Sequence, residues 1–217
     1  MSKLMEDIGK YREGFNQSVP KDIQAIIQGA IEGLEASDIS SSALKVGDKV
    51  ENFTLSDALG KNVTLYKELE SNDFVVINFY RGVWCPYCNL ELKAFHDINP
   101  KLKSLNTSLM AISPQTPDSS LSTKEKNELS FHVLSDVGNK VAQKFGLTYA
   151  LPDEIYELLK QMGTDLESYN GDNTHSLPIP ATYIINKNKE VIYSFAQEDY
   201  RKREEPQTIL DIIRKNS

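Results

Sequence analysis

The sequence predicts an α/β fold: a central mixed β-sheet flanked by helices, with a helical extension at the N-terminus. Two observations carry this reading. Short β-branched apolar runs alternate with segments of helical spacing from residue 53 onward. Their order is strand, helix, strand, helix, then a hairpin and a closing helix, which covers both faces of one sheet.

The extension comes first. Leu4, Ile8, Tyr11 and Phe15 fall on one stripe of a first helix. Pro20 reads as the first residue of a second helix, with Ile23, Ile26, Ile27, Ala30, Ile31 and Leu34 on one broad face. That face needs a cover, either the main domain (the simpler option) or a second copy in a homodimer. Residues 37–42 are a polar linker, so residues 1–43 form the extension and residues 44–217 the main domain.

Residues 53–55 and 63–65 read as short strands around a turn at Gly60. Phe74 to Phe79 is a continuous apolar run, the mark of a strand buried on both faces. Leu92, Phe95, Ile98 and Leu102 define the helix after it, which Pro100 is expected to kink or end. Residues 108–112 and 131–134 are strands, 124–128 a weak helix, and 137–145 a helix closed by Gly146. A helix at 155–162, a polar loop at 170–173, strands at 181–185 and 191–195, and a helix opened by Pro206 complete the chain.

At 217 residues, 40% of them hydrophobic, the chain can bury a core without staples. A net charge of -7 argues against nucleic acid or an anionic membrane as the main partner. No stretch approaches a membrane span. Residues 1–10 lack the apolar core of a signal peptide, which predicts a cytoplasmic location. There a CxxC pair is redox-active or metal-binding rather than a permanent staple. Zinc would need two of His96, His132 and His175, and their spacing is not that of a finger; neither a metal nor a cofactor is expected.

Cys85 and Cys88, the only two cysteines, stand one helical turn apart where a strand hands over to a helix. Unpaired N–H groups and the helix dipole stabilise a thiolate at such a place, and more so at the first cysteine, which favours Cys85 as the attacking thiol. Pro86 restricts the turn and removes a donor. Trp84 and Tyr87 form either an apolar rim for a substrate or a shield. Arg81 is either a cation beside the thiolate or a solvated surface arginine. His96 reads as a partly buried helix residue, His132 and His175 receive no role, and Asp199, Glu204 and Glu205 read as exposed charges.

The run Phe79-Tyr80-x₇-Cys88 after a buried strand resembles the alkyl hydroperoxide reductase/thiol-specific antioxidant family, the peroxiredoxins. Trp84-Cys85-Pro86-Tyr87-Cys88-Asn89 is similar to members that carry a thioredoxin-style CxxC. Val46-Gly47-Asp48, Ile112-Ser113-Pro114-Gln115, Val133-Leu134-Ser135-Asp136, Leu177-Pro178-Ile179-Pro180-Ala181-Thr182 and Asp199-Tyr200-Arg201 extend the likeness. The resemblance implies a thioredoxin-like fold with Pro180 as a cis-proline facing the cysteines. It implies a thiol peroxidase for hydrogen peroxide or organic hydroperoxides, serving antioxidant defence. Its product would be a Cys85–Cys88 disulfide, reset by thioredoxin or a low-molecular-weight thiol.

Aligned this way, Cys88 rather than Cys85 takes the peroxidatic role. The family's proline falls on Arg81, its Thr/Ser on Cys85, and its arginine on Asn139. The alternative is a thioredoxin-like protein disulfide oxidoreductase with Cys85 exposed. A third reading, a binding module that has lost turnover, would suit a fully buried pair.

Overall fold

The computed structural model describes residues 3–217; the first two residues of the predicted extension lie outside the described residues. Helices α1 (Lys3–Ser18) and α2 (Lys21–Ala36) open the chain, and a short 3₁₀ turn (Ile39–Ser42) leads out of them. Pro20 caps α2 from just outside rather than entering it. Then follow β1 (Thr54–Asp57), β2 (Asn62–Thr64), α3 (Leu65–Ser71), β3 (Phe74–Phe79) and α4 (Pro86–Ser104). The middle of the chain holds β4 (Thr107–Ser113), α5 (Pro117–Lys126), β5 (His132–Ser135), α6 (Lys140–Lys144) and β6 (Thr148–Ala150). The last part comprises α7 (Asp153–Gln161), α8 (Leu166–Asn170), β7 (Ser176–Pro178), β8 (Ala181–Asn186), β9 (Val191–Ala196) and α9 (Pro206–Asn216).

Seven strands form one mixed sheet in the order β2-β1-β5-β4-β3-β8-β9, and β6 and β7 pair separately. The strands β3, β4 and β5 run parallel, while β8 runs antiparallel to β3. Every residue of β3 is buried, as its unbroken apolar run requires. Its side chains alternate between two cores. Val75, Ile77 and Phe79 join Leu65 and Leu69 of α3 and Val141 and Phe145 near α6. Phe74, Val76 and Tyr80 join Leu92 and Phe95 of α4, Ile209 and Ile213 of α9, and Leu4 and Ile8 of α1.

Three expectations change. Pro100 does not end the helix: α4 continues through it to Ser104, because a proline one turn from the end removes a single hydrogen bond while Leu102 beyond it stays buried. The weak helix at 124–128 is the tail of α5, which starts at Pro117 with Thr116 accepting from the Ser119 N–H. The structure contains no cis peptide bond among the described residues, so Pro180 is trans. The chain there runs extended from β7 into β8: Ile179 N–H donates to the Leu147 carbonyl, and Ala181 pairs with Phe79. The strand order and registers define the fold without a turn at Pro180.

Asp136 ties the sheet to α6. Its carboxylate accepts from the backbone N–H groups of Val141 at 3.0 Å and Ala142 at 2.9 Å, an N-terminal cap made from inside the protein. Asp136→Ala should lower unfolding stability by about 1–2 kcal/mol in urea titration. A loss of less than a few tenths would show that the cap is dispensable.

Candidate active site

The site is set by the end of β3. Tyr80 N–H donates to the Ile112 carbonyl, and the chain then turns through Arg81 to Trp84 before α4 begins. Cys85 is the N-cap residue of α4 and Pro86 its first residue, which its fixed φ and missing N–H suit. The turn is pinned from both sides. Buried Gln115 accepts from Val83 N–H at 2.9 Å and from the Thr123 hydroxyl at 3.2 Å. Asn89 Nδ2 donates to the Val83 carbonyl at 2.7 Å. Gly82 has φ 154°, and a Cβ there would come within 2.3 Å of the Trp84 indole nitrogen, so only glycine lets the ring lie over this turn.

Both sulfurs are buried, Cys85 at 1% and Cys88 at 0% exposure, and both cysteines are free thiols. The exposed Cys85 of a thioredoxin-like arrangement is not found. Tyr11 of α1 meets Tyr87 edge-on, Tyr87 meets Tyr200, and these rings close over the helix start.

The sequence reading missed Arg203. This side chain enters from the segment before α9 and is 0% exposed. Its Nη2 lies 3.3 Å from Cys88 Sγ and 3.9 Å from Cys85 Sγ, and its Nη1 donates to Glu91 Oε2 at 2.7 Å. Glu91 follows Cys88 by three residues on α4, so both face the same side of the helix. Arg203 Nε donates to the Tyr200 carbonyl. The signal was hard to see: residues 198–205 carry seven charges within eight residues, a pattern that ordinarily marks a solvated loop.

The neighbouring charges behave likewise. Glu198, Asp199 and Glu204 are buried rather than exposed. Asp199 holds Arg201 through two hydrogen bonds, Glu198 accepts from Ser40 N–H, and Glu204 pairs with the Tyr193 hydroxyl and with Glu205 N–H. They fix the segment that delivers Arg203.

Arg81 is also buried, at 5%, not a surface arginine. Its guanidinium lies 4.2 Å from the Tyr200 ring centre and 4.9 Å from that of Trp84. No carboxylate pairs with it among the described residues, and its charge acts on both sulfurs. The remaining residues lie elsewhere. Pro180 is buried beside the end of β3. Asn139 donates to the Ser176 carbonyl at 2.9 Å, so it serves the α6–β7 junction. His96 approaches Ser130 at 3.3 Å, and His132 and His175 pair with Glu68 and Glu167 at the surface.

The electrostatics divide the pair. Burial opposes charge on Cys88, but the Cys85 S–H hydrogen bond and the Arg203 and Arg81 cations hold its thiol well below the ordinary value. Burial, and then the proton given to that shared bond, push Cys85 well up. Arg203 is nearer to Cys88 than to Cys85, so this geometry favours charge on Cys88. Such a pair can attack an electrophilic oxygen or sulfur and close to a disulfide. Among the described residues no three His, Cys, Asp or Glu side chains are grouped to hold a metal ion, and no helix is long and apolar enough to cross a membrane.

A cavity of about 1460 Å³ reaches this site, bounded by α1, α2 and α7 and touching Arg81, Trp84, Cys85 and Pro86. The thiols are thus buried but not sealed.

Known proteins share this framework. Peroxiredoxin Q of Suaeda salsa, a chloroplastic protein, is 34% identical over 119 residues, 55% of this chain and 53% of the relative. The chloroplastic peroxiredoxin Q of Oryza sativa subsp. japonica is 32% identical over 149 residues, 69% of this chain and 58% of the relative. The chain thus spans little more than half the length of these plant relatives. The putative peroxiredoxin bcp of Haemophilus influenzae is 28% identical over 175 residues, 79% of this chain and 97% of the relative. Among solved structures, peroxidoxin BcpB of Mycobacterium tuberculosis superposes with a TM-score of 0.63 at 22% identity, covering 80% of this chain and 99% of that one. A cysteine-to-serine mutant of PrxQ from Xylella fastidiosa gives 0.61 at 15% identity, covering 80% of this chain and 97% of that one. At such identities the likeness is one of fold. The family pattern itself matches residues 46–194, more than half the sequence, and the chain belongs to the AhpC/TSA family.

Proposed function

We propose that this protein is a thiol peroxidase that reduces hydroperoxides through Cys85 and Cys88 as part of antioxidant defence. The observation that carries the reading is the Arg203 guanidinium 3.3 Å from Cys88 Sγ inside a buried dithiol. A thiolate is the nucleophile in peroxide reduction, and a buried thiolate persists only beside a cation or a donor. Arg203, shared with Glu91, is the stronger cation acting on Cys88, and Arg81, with no carboxylate of its own among the described residues, adds a second.

In this mechanism Cys88 attacks the outer peroxide oxygen. The O–O bond breaks, Cys88 becomes a sulfenic acid, and the leaving alkoxide takes the proton from Cys85 S–H. The Cys85 thiolate then attacks the Cys88 sulfur and expels hydroxide to solvent, leaving a Cys85–Cys88 disulfide; of the two protons the reductant later brings, one neutralises that hydroxide and one restores the S–H. An external dithiol of the thioredoxin type or a low-molecular-weight thiol returns two electrons and two protons. A reducing compartment such as the cytoplasm supplies it. The assignment of first attack to Cys88 follows the charge, and it displaces the dipole argument for Cys85. The N-terminal dipole is available to both residues, whereas the guanidinium is nearer to Cys88. The disulfide oxidoreductase reading needs an exposed first cysteine, which this site does not offer.

Stopped-flow oxidation by hydrogen peroxide, followed through Trp84, tests the assignment. Cys85→Ser should still be oxidised and should carry a trappable sulfenic acid, while Cys88→Ser should lose on the order of a hundredfold or more in rate. Sulfenic acid trapped only on Cys85 would reverse the roles, and oxidation of the wild type no faster than a free thiol would refute the peroxidase.

Thiolate absorbance gives a second check. Because the folded Cys88 thiol lies below its ordinary value, the thiolate and the oxidation rate should persist as pH falls past that value and be lost only through the lower folded one. Arg203→Gln should move this midpoint up, and Glu91→Gln should move it further down, since one removes a cation and the other an anion. Midpoints that move together in the same direction would show that the Arg203–Glu91 pair does not set the charge.

A further inference from the structure

Of the two arginines buried beside the thiols, Arg203 has Glu91 at 2.7 Å, whereas Arg81 has no carboxylate among the described residues. At 5% exposure its guanidinium has rings for neighbours, Tyr200 at 4.2 Å and Trp84 at 4.9 Å. A ring face attracts a cation but does not neutralise it. Two donors at this spot are unmet: Arg81 Nε and the Trp84 indole Nε1 are both buried without an acceptor. Buried donors are ordinarily paired, and buried charges all the more so. Both residues line the cavity of about 1460 Å³ that touches Cys85.

A thiolate on Cys88 supplies part of the missing negative charge, since Arg81 acts on that sulfur. That charge exists only in the reduced protein. Once Cys85 and Cys88 are joined, both sulfurs are neutral; Arg203 keeps Glu91, and Arg81 keeps no anion at all. The surroundings select what replaces it. A guanidinium fork matches the two oxygens of a carboxylate. The space beyond is walled by Ile26 and Ala30 of α2 and Leu159 of α7, around the buried Leu151 and Ile155. An inorganic anion loses hydration against such walls, while an apolar tail gains from them. The family's proline falls on the position of Arg81, and α2 lies outside the family match at 46–194, so the cation and one wall are this chain's own.

We propose that Arg81 and Trp84 hold the carboxylate of an apolar monocarboxylic acid, its tail lying between α2 and α7, and that the disulfide form binds it more tightly than the dithiol form. The acid is a ligand and is not consumed. By reciprocity, its binding favours the disulfide by the same factor. The site requires the Cys85–Cys88 disulfide but not the turnover of a peroxide.

Calorimetric titration of octanoate into the full chain tests this, with the protein oxidised by diamide or reduced by dithiothreitol. The disulfide form should bind about tenfold tighter or more, because no thiolate competes for Arg81. Reduced Cys88→Ser should bind like the disulfide form, which separates the loss of charge from a change of shape. Saturating octanoate should shift the equilibrium with dithiothreitol toward the disulfide by about the same tenfold. Arg81→Gln and, independently, Trp84→Phe should each weaken binding to the disulfide form about tenfold or more. On the unaltered protein, octanol has the tail without the charge and acetate the charge without the tail; each should bind at least about tenfold more weakly. Octanol binding as tightly as octanoate would leave an apolar cleft and overturn the anion site. Phosphate or acetate matching octanoate would overturn the ligand class, and equal affinity in the two redox states would overturn the coupling. No binding of octanoate to either form overturns the whole proposal. None of these readouts involves a peroxide, so the proposal and the peroxidase reading stand or fall separately.

Discussion

A guanidinium buried out of water must be neutralised where it lies, and the chemistry of this protein is organised around that requirement at Arg203. An isolated buried charge costs several kcal/mol, so a side chain with 0% exposure has to bring its counter-ions with it. Glu91 provides one, and the dithiol provides the other. Because Glu91 and Cys88 stand three residues apart on α4, one side chain meets both from the same direction. Arg81 then adds a second cation, held between the rings of Trp84 and Tyr200 rather than by a carboxylate. Two arginines and one glutamate around two thiols leave a surplus of positive charge, which favours ionisation of one thiol. The low value of Cys88 and the high value of Cys85 are two sides of that balance.

The same constraint explains what could be read from the sequence. The strand Phe74–Phe79, the helix start at Pro86 and the cysteine pair between them are local, since apolar runs, prolines and spacing are written in consecutive residues. The mixed sheet and the flanking helices follow from their order. Arg203 is not local: 115 residues separate it from Cys88, and nothing in the charged segment around it says which arginine turns inward. Arg81 was visible as a cation next to the motif, but its burial depends on Tyr200, which arrives from the far end of the chain. Proline signals were the least secure. Pro100 sits inside a helix because the packing of Leu102 outweighs one missing hydrogen bond, and Pro180 continues an extended chain between two strands.

Burial of the thiols has a consequence for which substrates can enter. In an exposed CxxC the protein partner's disulfide reaches the first sulfur from solution, and the groove need only be open. Here Tyr11, Tyr87 and Tyr200 close over the start of α4, and the remaining approach is the cavity that touches Cys85. In the proposed cycle a reductant must reach the disulfide, and the rings of Tyr11, Tyr87 and Tyr200 stand over the start of α4. The edge-on contact of Tyr11 with Tyr87 is worth about 0.5–1.5 kcal/mol for a pair of this kind.

The division of the chain gives the last step. The family framework, residues 46–194, carries both sulfurs and the sheet end that presents them. The arginine that touches Cys88 and two of the helices beside the cavity, α1 and α2, lie outside it, on opposite sides in sequence. They meet in space: Arg201 bonds Gln28, Lys202 pairs with Glu35, and Glu198 accepts from Ser40. The segment that delivers the cation is therefore fastened to the segment that shapes the approach. These contacts tie the segment on either side of Arg203 to α2 and the turn after it. In this arrangement the framework carries the two sulfurs, and the flanking segments bring the buried guanidinium and the helices packed around them.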